Sequence, residues 1–289
     1  GIILKQLFAM TSQFGIDRLQ FQEPNAIQLV VEAERRAFAD RSSYMGDPDF
    51  IKNDPEKLMN DKYLQNRMKD FVFGKAGSSN ITTAGNPYES EETTHISIVD
   101  EEGNAISLTT TLNGNFGSKT VVSGAGFLLN NEMDDFSIQA GVPNMYGVTG
   151  GEANAIAPGK KMLSSMTPTI VLKDGLPEIV VGTPGGSTIP TSVYQTLSAL
   201  IDFHKSPQEA VNAAKYHHQW TPDKIFVEEG FPANTLIDLR RMGYQIQQRS
   251  AIGRTELILI SPNASRQTKT ITAIADNRGD DDARTELSE

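Results

Sequence analysis

Apolar residues between positions 25 and 40 recur at helical spacing: Ile27, Val30, Val31, Ala33, Ala37 and Phe38 fall largely on one face, with Glu32, Glu34, Arg35 and Arg36 opposite. A second helix is predicted over 55–71, where Leu58, Met59, Tyr63, Leu64 and Met68 form the stripe and Asn53 or Asp54 is the candidate cap. From 74 to 92 the texture changes to Gly, Ser, Asn and Thr with a terminal acidic cluster, the composition of an exposed and flexible connection. Beyond Thr93 the pattern changes again, to short alternating segments.

The first two of these are THISIVD (94–100) and NAISLTTTL (104–112), separated by Glu101-Glu102-Gly103. A three-residue hairpin loop places its glycine last, where φ is positive, so Asp100 should face Asn104. That register sets Ile98 against Ile106, Ile96 against Leu108, and Thr93 across from Thr111. A slip of one residue would oppose Ile98 to Ser107 and scramble both faces. A second hairpin is predicted from 169–173 and 178–182 around Asp174-Gly175, running directly into Thr183-Pro184-Gly185-Gly186-Ser187. Ser187 reads as the N-cap of a helix carrying Val193, Leu197, Leu200, Ile201 and Phe203. Helices follow at 207–214 and 232–242, and strands at 224–228, 256–260 and 268–275. Layers of helix alternating with antiparallel sheet predict an α+β fold, with two sheets packed between helices as the sandwich option.

Composition narrows the function. The 289 residues fit one large or two small domains. With 26 Lys and Arg against 36 Asp and Glu, the net charge of −10 opposes binding to a phosphate backbone, so no nucleic-acid partner is expected. No stretch approaches the roughly 20 apolar residues that span a bilayer. There is no cysteine, which removes disulfides, thiolate nucleophiles and cysteine-ligated metals, and the four histidines show no metal-ligand spacing. Neither a metal nor another cofactor is expected. The chain begins Gly1-Ile2-Ile3-Leu4 and reads as a piece of a longer protein, with any targeting segment upstream.

Without cysteine, covalent catalysis must use Ser, Thr, Lys or a carboxylate. A threonine at a chain terminus has its own base, because an α-amine with a pKa of about 7.7–8.0 accepts the hydroxyl proton at working pH. Thr93 stands where the solvated connection meets the first strand, so cleavage there would expose such an amine at a rigid edge. A Thr-rich strand start with ordinary β propensity accounts for the position alone. Thr111, opposite Thr93, could orient the nucleophile. Gly185 and Gly186 lie just ahead of a helix, where open backbone N–H groups and the dipole suit an oxyanion, although a tight strand-to-helix turn explains the pair as well. The run Asn130-Asn131-Glu132-Met133-Asp134-Asp135 and the pair Ser164-Ser165 offer polar and acidic groups for an ammonium-bearing substrate, as any solvated loop would. His217 and His218, beside the lone tryptophan, and His95 are read as packing residues.

TTHISIVD, TLNGNFG, GFLLNNEMDDFS, GVPNMYG, LSSMTPTIV, GTPGGS and HHQWTPD occur in that order. As an ordered set they resemble the γ-glutamyltranspeptidases, which are N-terminal-nucleophile hydrolases, and AFADRSSYMGDPDF resembles the region ahead of that family's processing site. The resemblance implies an αββα sandwich, incomplete on its N-terminal side. Residues 1–92 would be the end of the large subunit, closing in a processing linker over about 74–92, and 93–289 the small subunit, both within one domain. Thr93 would be the nucleophile for self-cleavage after Glu92 and the catalytic N-terminal residue afterwards, with Thr111 bonding its hydroxyl or amine. Gly185 and Gly186 would stabilise the oxyanion. Asn113, Glu132, Asp135, Ser164 and Ser165 would hold the glutamate end of the substrate, and Tyr146 would belong to a lid closing on Asn113. The arginine that pairs with the substrate α-carboxylate would lie in the missing large-subunit segment. The implied activity is cleavage of the γ-glutamyl amide of glutathione and related compounds and transfer to water, an amino acid or a peptide, in the periplasm or outside the cell. A cephalosporin-acylase-like or poly-γ-glutamate-depolymerising enzyme of the same fold, or a non-catalytic truncated product, are the alternatives.

Overall fold

The computed structural model describes residues 1–51, 54–79, 93–262 and 269–285. Asn53 as a cap, the linker from Asn80 to Glu92, and Thr268 at the head of the last strand lie outside the described residues. The helices are α1 (Ile2–Ser12), α2 (Pro24–Tyr44), α3 (Asp61–Arg67), α4 (Ile189–Ile201), α5 (Pro207–Asn212) and α6 (Ala233–Arg241). The strands are β1 (Thr93–Val99), β2 (Ala105–Thr111), β3 (Thr169–Lys173), β4 (Leu176–Gly182), β5 (Tyr216–His217), β6 (Ile225–Glu228), β7 (Ile246–Arg249), β8 (Glu256–Pro262) and β9 (Lys269–Ile274).

The β1–β2 hairpin has the register that the loop count predicts: Thr93 pairs with Thr111, Ile96 with Leu108 and Ile98 with Ile106. It lies on a four-stranded sheet ordered β3-β4-β8-β9. Ser107 ties the layers, donating its hydroxyl to the Val181 carbonyl at 3.0 Å while accepting from the Thr169 N–H at 3.0 Å. Val180, Ile258 and Ile260 pack toward Val99 and Ala105 of the hairpin, whereas Ile179, Val181 and Leu257, on the opposite face, pack on Val193, Leu197 and Val211 of α4 and α5. Period-two alternation buries both faces of this sheet against different layers. The outer face of the hairpin has no such cover: Ile96, Ile98, Ile106 and Leu108 are 43–53% exposed.

Helix α2 starts at a favourable Pro24 and runs 21 residues. Its apolar stripe forms the main core with α1, Tyr194, Tyr216, Ile225 and Leu239, so residues on both sides of Thr93 share one core. The charged side of α2 is buried as well. Glu32 accepts from Arg36 at 2.7 Å, Tyr244 at 2.7 Å and the Gly77 N–H at 2.9 Å, and Glu34 accepts from the His218 N–H at 2.8 Å. Buried charge persists where it is paired and hydrogen-bonded, as at Glu32, whose partners come from its own helix and from distant segments, whereas burial pushes the Glu34 carboxyl well above its ordinary range.

Other departures are local. The helix expected over 55–71 divides into a 3₁₀ turn, Pro55–Met59, started by Asp54, and α3, because Asn60 turns out to cap the second piece through Lys62 and Tyr63 N–H groups. Asp174-Gly175 is a two-residue turn with both φ positive, and β4 begins at Leu176, two residues earlier than expected, with a bulge at Val171/Leu172. Ser187 is not the cap of α4. It sits in a 3₁₀ turn, Gly186–Thr188, and donates its hydroxyl to Gln219 at 2.8 Å, while α4 starts at Ile189 with Pro190 in its first turn. Helix α1 escaped the pattern, as did two short strands, β5 and β7, the latter parallel to β6 through α6. Among the described residues no helix is long and apolar enough to cross a membrane.

Candidate active site

Thr93 opens β1 and is 5% exposed. Its hydroxyl donates to Thr111 Oγ1 at 3.2 Å, a contact set by the strand register, and the same oxygen accepts the Asn113 N–H at 2.9 Å. Asn113 follows β2 at φ +72°, a left-handed conformation that Asn tolerates better than most residues. This conformation accompanies the turn out of the strand, and the side chain donates to the Asn131 carbonyl at 3.2 Å.

The segment 141–151 folds over this group as a small turn. Asn144 Oδ1 accepts from the Tyr146 N–H at 3.0 Å and the Val148 N–H at 3.1 Å, and the Gly141 N–H reaches the Gly150 carbonyl at 2.9 Å. Tyr146 is thereby buried, with its hydroxyl donating to the Asn113 carbonyl at 2.7 Å and also contacting Asn113 Oδ1. Its ring lies on Gly186, where a Cβ would stand 2.8 Å from Cδ1 and Cε1. Gly186 also has φ +54° and Gly185 φ +133°, so both backbone shape and space require glycine there. The Gly185 carbonyl is bonded by both the N–H (3.0 Å) and the hydroxyl (2.7 Å) of Thr188, which fixes the turn ahead of α4. Thr93, Thr111, Asn113, Tyr146 and Gly186 thus form one continuous path of contacts.

The remaining candidates lie beside it. Met145 donates its N–H to Asp134 at 3.0 Å, joining the Tyr146 turn to the 3₁₀ turn Glu132–Asp135. Burial raises the Glu132 carboxyl above its ordinary range, and it pushes Asp135 up to about 6, where Arg41 pulls the other way and Glu132 and Asp134 add to the rise. Ser164 is exposed and accepts the Met166 N–H at 3.1 Å, and Ser165 accepts from Arg41 Nη2 at 3.2 Å. His95 belongs to packing: its ring lies against Gly182, bonds Thr109 and Ser97 at 2.8 and 3.1 Å, and burial lowers it to about 4. His217 and His218 are wholly buried and lowered to about 3 and about 4.

Three residues that the sequence pattern did not single out stand behind the site. Gln219 accepts from Ser187 and donates to the Tyr146 carbonyl at 3.1 Å, linking the glycine turn to the Tyr146 turn. Asn154 and Arg41 connect the acidic turn and the serine pair. Gln219 lies within HHQWTPD and Arg41 within AFADRSSYMGDPDF, but polar residues inside a motif carry no mark of which segment they will meet.

A hydroxyl at the head of a strand, paired across the hairpin and linked through Thr111, Asn113 and Tyr146 to a glycine turn ahead of a helix, with the hairpin stacked on one face of a sheet and helices on the other, fits an N-terminal-nucleophile hydrolase fold. The family model for gamma-glutamyltranspeptidase matches residues 1–285, and the chain belongs to that family. It is 44% identical to the glutathione hydrolase proenzyme of Escherichia coli K12 over 265 residues, 91% of this chain and 46% of that protein. A solved acivicin-inhibited gamma-glutamyltranspeptidase, described as showing roles for its C-terminus in autoprocessing and catalysis, is 47% identical with a TM-score of 0.62, covering 65% of this chain and 99% of that chain. A cephalosporin acylase from Bacillus halodurans shares the fold, at 23% identity and a TM-score of 0.73 over 96% of this chain and 48% of that one. The chain spans about half the length of the curated relatives it matches.

Proposed function

We propose that the whole protein cleaves γ-glutamyl amides, glutathione among them, and passes the γ-glutamyl group to water, an amino acid or a peptide. Maturation would begin with attack of the Thr93 hydroxyl on the carbonyl of Glu92. The tetrahedral intermediate collapses with cleavage of the Glu92–Thr93 C–N bond, whose nitrogen takes up a proton, leaving Thr93 with a free α-amine and a Glu92 ester; water then cleaves that ester, restoring the Thr93 hydroxyl and dividing large-subunit residues up to 92 from small-subunit residues 93–289. In the mature enzyme that amine takes the hydroxyl proton as Thr93 Oγ1 bonds the γ-carbonyl carbon. The tetrahedral oxyanion is held by the N–H groups of Gly185 and Gly186 and then collapses, expelling the amine of the leaving group with the transferred proton. Water or an acceptor amine attacks the γ-glutamyl ester and restores Thr93. Asp135 and Glu132 receive the substrate ammonium, Ser164 and Ser165 its carboxylate, and Asn113 with Tyr146 closes the site.

The observation that carries this reading is the contact path from Thr93 through Thr111, Asn113 and Tyr146 to Gly186. The Tyr146 turn, closed on Asn113 and Gly186, favours a small substrate over the bulkier ones of an acylase or depolymerase. We assign the uncovered outer face of the β1–β2 hairpin to the upstream part of the large subunit, which would also bring the arginine for the substrate α-carboxylate. Periplasmic or secreted placement belongs to the same reading. Mass spectrometry of the full-length product tests it: a fragment beginning at Thr93, absent from Thr93→Ala, is expected, and a wild-type protein that stays uncut yet turns over γ-glutamyl anilide would overturn it.

A further inference from the structure

The amino-acid end of the proposed site is made of two arms that no regular structure joins. One is the 3₁₀ turn Glu132–Asp135, and the other is Ser164-Ser165 ahead of β3. Binding an α-amino acid needs acceptors for the ammonium and donors for the carboxylate at fixed separation, so something must set the gap between the arms.

Asn154, 5% exposed, lies between them. Its Nδ2 donates to the Asp135 carbonyl at 2.7 Å, its Oδ1 accepts the Leu163 N–H at 3.1 Å, and its own carbonyl accepts the Ser137 N–H at 2.9 Å. One amide thus bonds the first arm and the residue immediately ahead of the second, using donor and acceptor at once. Arg41, 7% exposed near the end of α2, donates from Nη2 to Ser165 Oγ at 3.2 Å, and its charge acts on the Asp135 carboxyl. The two residues stand on surfaces in close contact. A Cβ on Gly46 would lie 2.1 Å from the Ala153 carbonyl oxygen, and one on Gly151 would lie 2.6 Å from that of Ser42. Lys160 Nζ closes the turn by donating to the Ala153 and Ala155 carbonyls, each at 2.9 Å.

We propose that Arg41 and Asn154 are positioning residues forming a brace that sets the spacing of the ammonium and carboxylate arms, and that this brace crosses the processing boundary, with Arg41 contributed from before Thr93. The inference rests on the γ-glutamyl reading of the site. It follows that the segment ahead of Thr93 keeps a role in substrate binding after cleavage. Burial raises the Asp135 carboxyl, and the charges acting on it are Arg41 from α2 and Glu132 and Asp134 from its own turn, while Asn154 bonds only its main-chain carbonyl. Removing Arg41 leaves only like charges against Asp135.

The test uses full-length, cleaved protein and a γ-glutamyl anilide, with thermal unfolding and subunit cleavage checked for each variant. Asn154→Asp places a carboxylate oxygen against the Asp135 carbonyl, and Arg41→Met removes the charge at similar length. Each should raise KM by about tenfold or more while kcat changes by less than about threefold, because the brace acts on ground-state binding as well as the transition state. Arg41→Met should also raise the pH at which Asp135 loses its charge, read as the lower break in log kcat/KM, whereas Arg41→Lys should move it less. Arg41→Met combined with Ser165→Ala should cost less than the two effects multiplied. If the wild type turns over and Thr93→Ala does not, yet both brace variants keep KM within about twofold, the brace is wrong and the γ-glutamyl reading stands. A fall in kcat with KM unchanged also overturns it. If Asn154→Asp fails to mature, the Arg41 series decides alone.

Discussion

The two ends of the candidate site, the proposed nucleophile end and the proposed amino-acid end, are built differently. At the nucleophile end, Thr93 and Thr111 are fixed by a seven-pair strand register, and Thr93, Asn113, Tyr146 and Gly186 are all buried. At the amino-acid end, Glu132, Asp135, Ser164 and Ser165 stand on irregular loops, half-buried or exposed, and their spacing depends on side-chain amide and guanidinium bonds from behind. Reacting atoms must meet within a few tenths of an ångström, which a strand ladder supplies, whereas an ammonium and a carboxylate must enter from water, which needs an open rim. Damage at the first end should therefore appear in kcat and damage at the second in KM.

Thr93→Ala is the largest expected effect. It removes maturation and nucleophile together, with activity on a γ-glutamyl anilide falling on the order of 10⁴-fold or more and a single uncut band on a denaturing gel. Detection of cleaved subunits in that variant would break the assignment. Gly186→Val should come next, because a Cβ there meets the Tyr146 ring at 2.8 Å on a left-handed backbone and turns the donor away. In a cleaved variant kcat should fall on the order of 100–1000-fold, far more than KM changes. A KM effect instead would move the glycine pair to the binding side of the comparison.

Asp135→Asn probes the open end, where loss of a charge-assisted bond should raise KM on the order of 10–100-fold. Its pH signature follows from the carboxyl lying near 6. Below the α-amine pKa of about 7.7–8.0, kcat/KM should fall because the amine proposed as the base of Thr93 takes a proton. As pH falls further through 6, Asp135 is protonated too and loses its attraction for the ammonium, so the log–log slope steepens from one toward two; Asp135→Asn should retain the first break and lose the second. A second break that survives in that variant would assign it to another group. Tyr146→Phe is the mildest, deleting one hydroxyl bond to Asn113 for about a tenfold loss in kcat/KM. Comparing its kcat and KM shows whether the Tyr146 turn serves the nucleophile end, the binding end, or both.

The parts of this architecture legible in the sequence are those governed by short-range rules. The β1–β2 register came from counting three loop residues, and the hairpin at Asp174-Gly175 from a dipeptide whose positive φ values its side chains allow. Ser187 misled because a serine after two glycines at a helix start has the composition of a cap, and only Gln219, 32 residues later, draws its hydroxyl elsewhere. The 55–71 helix divided because Asn60 competes locally for the backbone as a cap, a choice that apolar periodicity does not register.

By itself, then, the sequence determined the hairpins, the order of the motifs, the absence of thiol chemistry and the placing of a threonine at the head of a strand. The tertiary structure decided the rest: that the charged side of α2 is buried, that Tyr146 lies on Gly186, and that Asn154 and Arg41 act on the acidic turn and on the segment of the serine pair. The reason is one of range. Turn and strand geometry follow from neighbouring φ and ψ values, whereas burying a polar group is tolerable only with a partner, and for Arg41 that partner lies 124 residues away.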